Sequence, residues 1–134
     1  MRLLLAFTLV AAAGPAFAAA PVAGRWMTPA RDSVVEVGPC GAQMCGRVVR
    51  ILKPVQGAAV DRNNPDARLR TRPLLGLPIL TGFTPSGDEW RGRIYDPRNG
   101  KSYRSVIAPA ADGTLTVKGC IGPFCQSQSW TRVR

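Results

Sequence analysis

From Gly24 to Val133 the chain runs as short segments of alternating apolar and polar residues, each closed by a turn signal. That rhythm restricts it to an antiparallel all-β fold. The segments are Gly24 to Thr28, Ser33 to Gly38, Gly46 to Lys53, Pro78 to Phe83, Glu89 to Tyr95, Ser102 to Ala108, Thr114 to Gly119 and Gln126 to Val133. Between them stand Pro29-Ala30-Arg31-Asp32, Pro85-Ser86-Gly87-Asp88, Ala111-Asp112-Gly113 and a hairpin turn from Asp96 to Gly100 that carries the Asn-Gly signal. Eight such strands at regular spacing make a sandwich or a barrel. Only the connection from Pro54 to Leu77 has room for anything else. Within it Asn64 is placed to cap a short helix, Pro65 suits the first helical position, Ala67 to Arg70 continue it and Arg72-Pro73 stops it. A connection of this length is either a packed crossover or a lid.

Residues 1–18 read as a secretory signal peptide: Met1-Arg2, an apolar run from Leu3 to Ala13, then Gly14-Pro15-Ala16-Phe17-Ala18 with small residues at the recognition positions. Residues 19–134 then form a single exported, periplasmic domain. No later apolar stretch is long enough for a membrane helix. The chain has no His, which removes histidine-based acid–base catalysis and histidine-ligated metal sites. An enzyme would have to pair carboxylates among Asp61, Asp66 and Asp96, whose cationic neighbours depress a general acid, so no enzyme and no cofactor are expected. Lys and Arg number 18 against 8 Asp and Glu, and the excess gathers in the basic stretch from Arg47 to Arg72. With export and no recognition motif, nucleic acid is not the expected partner; an acidic ligand, anionic lipid head groups or an envelope polymer are.

The four Cys lie in two similar pieces, Pro39-Cys40-Gly41-Ala42-Gln43-Met44-Cys45-Gly46 and Gly119-Cys120-Ile121-Gly122-Pro123-Phe124-Cys125. Their spacing fits neither a zinc ribbon nor a two-residue redox motif, and export favours disulfides.

Together with Gly24-Arg25-Trp26, Asn63-Asn64-Pro65-Asp66, Arg72-Pro73-Leu74-Leu75-Gly76-Leu77, Gly92-Arg93-Ile94-Tyr95-Asp96-Pro97 and Trp130-Thr131-Arg132, these pieces resemble family 2147 of the domains of unknown function. The resemblance covers nearly all of the chain after the leader. It implies an exported bacterial protein with an eight-stranded up-and-down lipocalin-like barrel, and it brings no established activity. A looser resemblance to lipocalins lies in Gly24-x-Trp26 on the first strand with Arg132 on the last. In a closed meander those strands pair antiparallel, so Trp26 and Arg132 meet at the closed end, guanidinium on indole.

Loops of such a barrel alternate between its ends. The two Cys loops therefore lie on the order of 20 Å apart, beyond the about 7 Å that a disulfide tolerates between Cα atoms, and the pairs must be Cys40 with Cys45 and Cys120 with Cys125. The end opposite Trp26 gathers the long basic connection, the Asp96 to Gly100 hairpin and the second Cys loop. Asn64, Asp66, Arg70, Arg72, Tyr95, Asp96 and Tyr103 are the candidate ligand-facing residues there. The structural roles competing with ligand contact are helix capping for Asn64 and Asp66, an Asx turn for Asp96, and a cross-strand pair for Tyr95 and Tyr103. Trp130 reads as core or barrel wall. Two functions follow. One is a module binding a small, partly apolar ligand, anionic or lipid-like, with the basic connection as gate. The other is an interaction protein whose filled barrel docks through its basic end on an envelope component. A monomer is the default for a barrel with no open edge.

Overall fold

The computed structural model describes residues 10–11 and 22–134. The leader and its cleavage site lie almost wholly outside the described residues. Eight strands close into one barrel in simple up-and-down order: β1 (Gly24–Met27), β2 (Ser33–Cys40), β3 (Gln43–Ile51), β4 (Pro78–Ser86), β5 (Glu89–Asp96), β6 (Lys101–Pro109), β7 (Leu115–Ile121) and β8 (Phe124–Val133). Every neighbouring pair is antiparallel, and β1 closes on β8 with Trp26 opposite Arg132. Closure removes the edges that an open sheet would present to other chains. Among the described residues no helix is long and apolar enough to cross a membrane.

Both disulfides, Cys40–Cys45 and Cys120–Cys125, form as the loop parity requires. The strands run further into the Cys segments than their turn signals suggest. β2 and β3 pair as far as Cys40 opposite Gln43, and β7 and β8 as far as Ile121 opposite Phe124. Two-residue turns suffice because Gly41 and Gly122 take positive φ values of 64° and 54°. β4 also continues to Ser86, across a bulge in which Gly82 at φ 67° lets two residues oppose one on β5.

The half of the barrel around β1 is solid. Trp26, Val35, Val37, Met44, Phe83, Trp90, Ile107 and Leu115 are all buried there. Trp26 donates its indole N–H to the Val22 carbonyl at 3.0 Å, and the Arg132 guanidinium lies 4.2 Å from its ring centre. Gly24 takes φ 137°, a conformation strained for any side chain, and lies against the Arg132 guanidinium, whose Nη1 would stand 2.5 Å from a Cβ there. The first glycine of the Gly-x-Trp piece thus has a backbone reason. Inside, Phe83 lies on Gly92, where a Cβ would meet its ring at 2.7 Å and the Thr81 carbonyl at 2.6 Å.

The long connection holds a single 3₁₀ turn, Ala67–Leu69, instead of a one- to two-turn helix. Its N-cap is Asp66, whose Oδ1 accepts the Arg68 N–H at 3.0 Å; the cap expected at Asn64 is not formed. Asn64 turns the chain one step earlier by accepting the Asp66 N–H at 2.8 Å, which leaves Pro65 outside the helical turn.

Candidate functional site

Above Trp130 the barrel is hollow. Strand alternation turns Phe124, Gln126, Gln128 and Trp130 of β8 to the same inner face, and Trp130, buried, forms the floor while donating to Gln128 Oε1 at 3.0 Å. The cavity measures about 1010 Å³ and opens to solvent, and its walls include Val48, Ile79, Ile94 and Val117. Gly119 contributes empty space: a Cβ built there would touch only Ile94 Cγ2, at 3.9 Å. The space is therefore mostly apolar, with two amides on one wall. Near the mouth Tyr103 accepts from Asn99 Nδ2 at 3.0 Å, and Asp96 grips Arg98 through Nε and Nη2 at 3.0 and 3.1 Å. The Asp96 carboxylate, by hydrogen bond and charge, pushes the Arg98 guanidinium pKa above its ordinary range, so Arg98 stays cationic at the cavity lip.

One wall of the mouth is the long connection, tied down by a buried carboxylate. Asp61 is 0% exposed and accepts from Tyr95 Oη at 2.6 Å, Asn64 Nδ2 at 2.8 Å and Arg72 Nε at 3.0 Å. Burial is the largest single influence and raises its pKa; the three hydrogen bonds and the Arg72 charge together outweigh it and hold Asp61 below the usual carboxylate range. The same contact acts oppositely on its partner. Burial first, then the bond to Asp61 and its charge, push Tyr95 up to about 12. Arg72 also stands 5.8 Å from the Tyr95 ring centre. A second tie comes from Asn63, whose Nδ2 donates to the carbonyls of Pro97 and Arg98 at 3.0 and 3.1 Å. Its own carbonyl presses on Gly100, so the Asn-Gly turn needs glycine for close approach as well as for φ 71°. With Val60 bridged to Pro73, the connection is a packed crossover.

The family model for uncharacterized proteins conserved in bacteria, DUF2147, matches residues 24–132. The chain belongs to this family. No curated protein matches. Among solved structures, a protein of the human pathogen Helicobacter pylori, HP1028, described as belonging to the lipocalin family, is similar at a TM-score of 0.72. It is 20% identical, with 84% of this chain and 82% of that chain covered. At that identity the likeness concerns the fold: this DUF2147 member is a lipocalin-like barrel.

The DUF2147 barrel divides the seven expected site residues. Tyr95, Asp96 and Tyr103 line the cavity. Asn64, Asp66, Arg70 and Arg72 belong to the internal bonding of the connection: Arg70 Nε donates to the Asn64 carbonyl at 2.7 Å, Arg68 pairs with Asp66, and Arg72 pairs with Asp61. Tyr95 and Tyr103 are not cross-strand partners; Tyr95 stands opposite Ser102 and Tyr103 opposite Ile94. One residue of register separates them, and both reach the cavity at its mouth. Asp96 forms the expected Asx turn, accepting the Arg98 N–H at 3.0 Å. The residues sequence reasoning missed are Asp61 as the hub of the connection and Gly119, Gln126 and Gln128 as cavity wall. Polar Gln at inward positions of β8, in step with Trp130, was the available signal.

Proposed function

We propose that this protein is an exported, periplasmic, non-enzymatic carrier that takes one small, partly apolar ligand with an acidic group through the open end of its barrel. The observation that carries the reading is the hollow upper half. The packed floor at Trp130 leads into a cavity of about 1010 Å³ instead of further core. That is the scale of small-molecule pockets, apolar with a few polar groups that orient the occupant. Gln126, Gln128 and Tyr103 are the orienting groups inside, and Arg98, Lys53 and Arg62 at the lip favour a negative head. Two disulfides and the leader-like first 18 residues support export. Asp61 and Asp66, each paired with an arginine, are held below the usual carboxylate range and unsuited to general-acid work, and Asp96 is engaged by Arg98.

Gly119→Phe tests this, because the new ring would enter the cavity with no backbone clash. With anilinonaphthalene sulfonate as an acidic apolar probe, the native protein should bind saturably and the variant about tenfold or more weakly, with unchanged circular dichroism. Equal dye binding by both proteins would contradict the cavity as the site.

A further inference from the structure

The β7–β8 turn carries Ile121 and Phe124, 70% and 80% exposed, directly opposite one another at the strand ends and on the lip of the cavity. Such side chains cost solubility in an isolated protein and mark contact surfaces. Here they are held out rather than left loose. The Cys120–Cys125 disulfide staples the very next pair of the ladder, Gly122 makes the tight turn, and Arg104 Nη2 donates to the Gly122 carbonyl. The tip is a convex wedge and not a groove.

The surroundings of the wedge specify what it enters. The other segments at this end, residues 28–32, 52–77 and 96–101, contain eight Lys or Arg against four Asp, one of which is the buried Asp61. Among the described residues Arg31, Lys53, Arg62 and Lys101 have no ion pair, and Lys53 and Arg62 spend donors only on neutral backbone carbonyls, which leaves their charge uncompensated. An aliphatic and an aromatic side chain on a rigid tip, flanked by long unpaired cations, match an anionic head-group layer with acyl chains beneath it. We propose that the open end of the barrel docks on an anionic lipid bilayer, with Ile121 and Phe124 entering the acyl boundary and the unpaired cations on the head groups. Docked this way, the cavity mouth faces the lipid.

The test is co-sedimentation of the disulfide-bonded protein with vesicles of phosphatidylcholine alone or with an equal part of phosphatidylglycerol. The native protein should sediment with the anionic vesicles, less so as salt rises, and the double variant I121S/F124S about tenfold less, with its disulfides and circular dichroism intact. The indole introduced by Phe124→Trp should be quenched by brominated acyl chains. Equal sedimentation of native and double-variant protein, no preference for anionic vesicles, or an unquenched indole would overturn the docking. Gly119→Phe separates this from ligand binding. It should dock as the native protein does, and its failure to sediment would assign the lipid to the cavity and overturn docking by the tip. A native protein that binds dye but no vesicle overturns the docking alone.

Discussion

Asp61 is removed from water by the fold and then given three donors, and the balance of those effects sets how the connection responds to pH. Its pKa is lowered on folding, so its contribution is complete above the ordinary value of 3.8 and is lost as pH falls below it toward the folded value. Tyr95 is raised from 10.0 to about 12, so its contribution is complete below pH 10 and is lost between there and pH 12. Tyr95→Phe leaves the buried carboxylate one donor short and should cost about 1–3 kcal/mol at neutral pH, a difference that shrinks above pH 10. Asp61→Asn should show a deficit of similar size that shrinks below about pH 3.8. Urea unfolding of the three proteins across pH measures both; a pH-independent difference would contradict the assignment. The two interior glycines make a second contrast. Gly92→Ala forces a Cβ onto the Thr81 carbonyl and the Phe83 ring and should destabilise by about 2 kcal/mol or more, whereas Gly119→Phe should remain folded. Comparable urea midpoints for the two variants would refute this view of filled and empty barrel halves.

Among the elements, the two Cys hairpins have the same covalent form, and the proposed docking gives them different tasks. Each disulfide spans a sequence separation of 5, and in the chain-entropy model so short a loop stabilises by about 2 kcal/mol. Replacing either pair by Ser should lower stability by about that amount and keep the barrel. Only the Cys120→Ser/Cys125→Ser protein should lose vesicle sedimentation, because only that staple supports Ile121 and Phe124. Strand order and the disulfide pairing were legible because alternation, turn residues and loop parity are local or topological properties. The reach of β2, β3, β7 and β8 into the Cys segments was not, since those segments read as loops until the register shows that their turns are two residues long. The connection was legible as a turn-bearing crossover but not in its wiring. Asp61 and Tyr95 are 34 positions apart, and nothing in the neighbourhood of either announces a 2.6 Å bond. For the same reason Arg70 and Arg72 looked like ligand-facing cations when their groups are occupied by the connection itself.

At the scale of the molecule, the barrel is a solid plug below Trp130 and an open cup above it. The closed end brings Trp26, Gly24 and Arg132 together, which fixes how β1 meets β8. The open end gathers the cavity lip, the unpaired cations and the apolar tip. Whether an eight-strand barrel is full or hollow depends on the summed volume of inward side chains, and in this chain Gly119 leaves space in the wall of the cup. The central claim is that the cup carries a ligand, and native mass spectrometry of protein purified gently from its own cells tests it most directly. The account predicts a species heavier than the denatured mass, releasing its extra mass on mild activation, and Gly119→Phe protein prepared in parallel without it. Protein that remains bare after incubation with its own envelope lipid extract, with the denatured mass showing both disulfides intact, would contradict the claim.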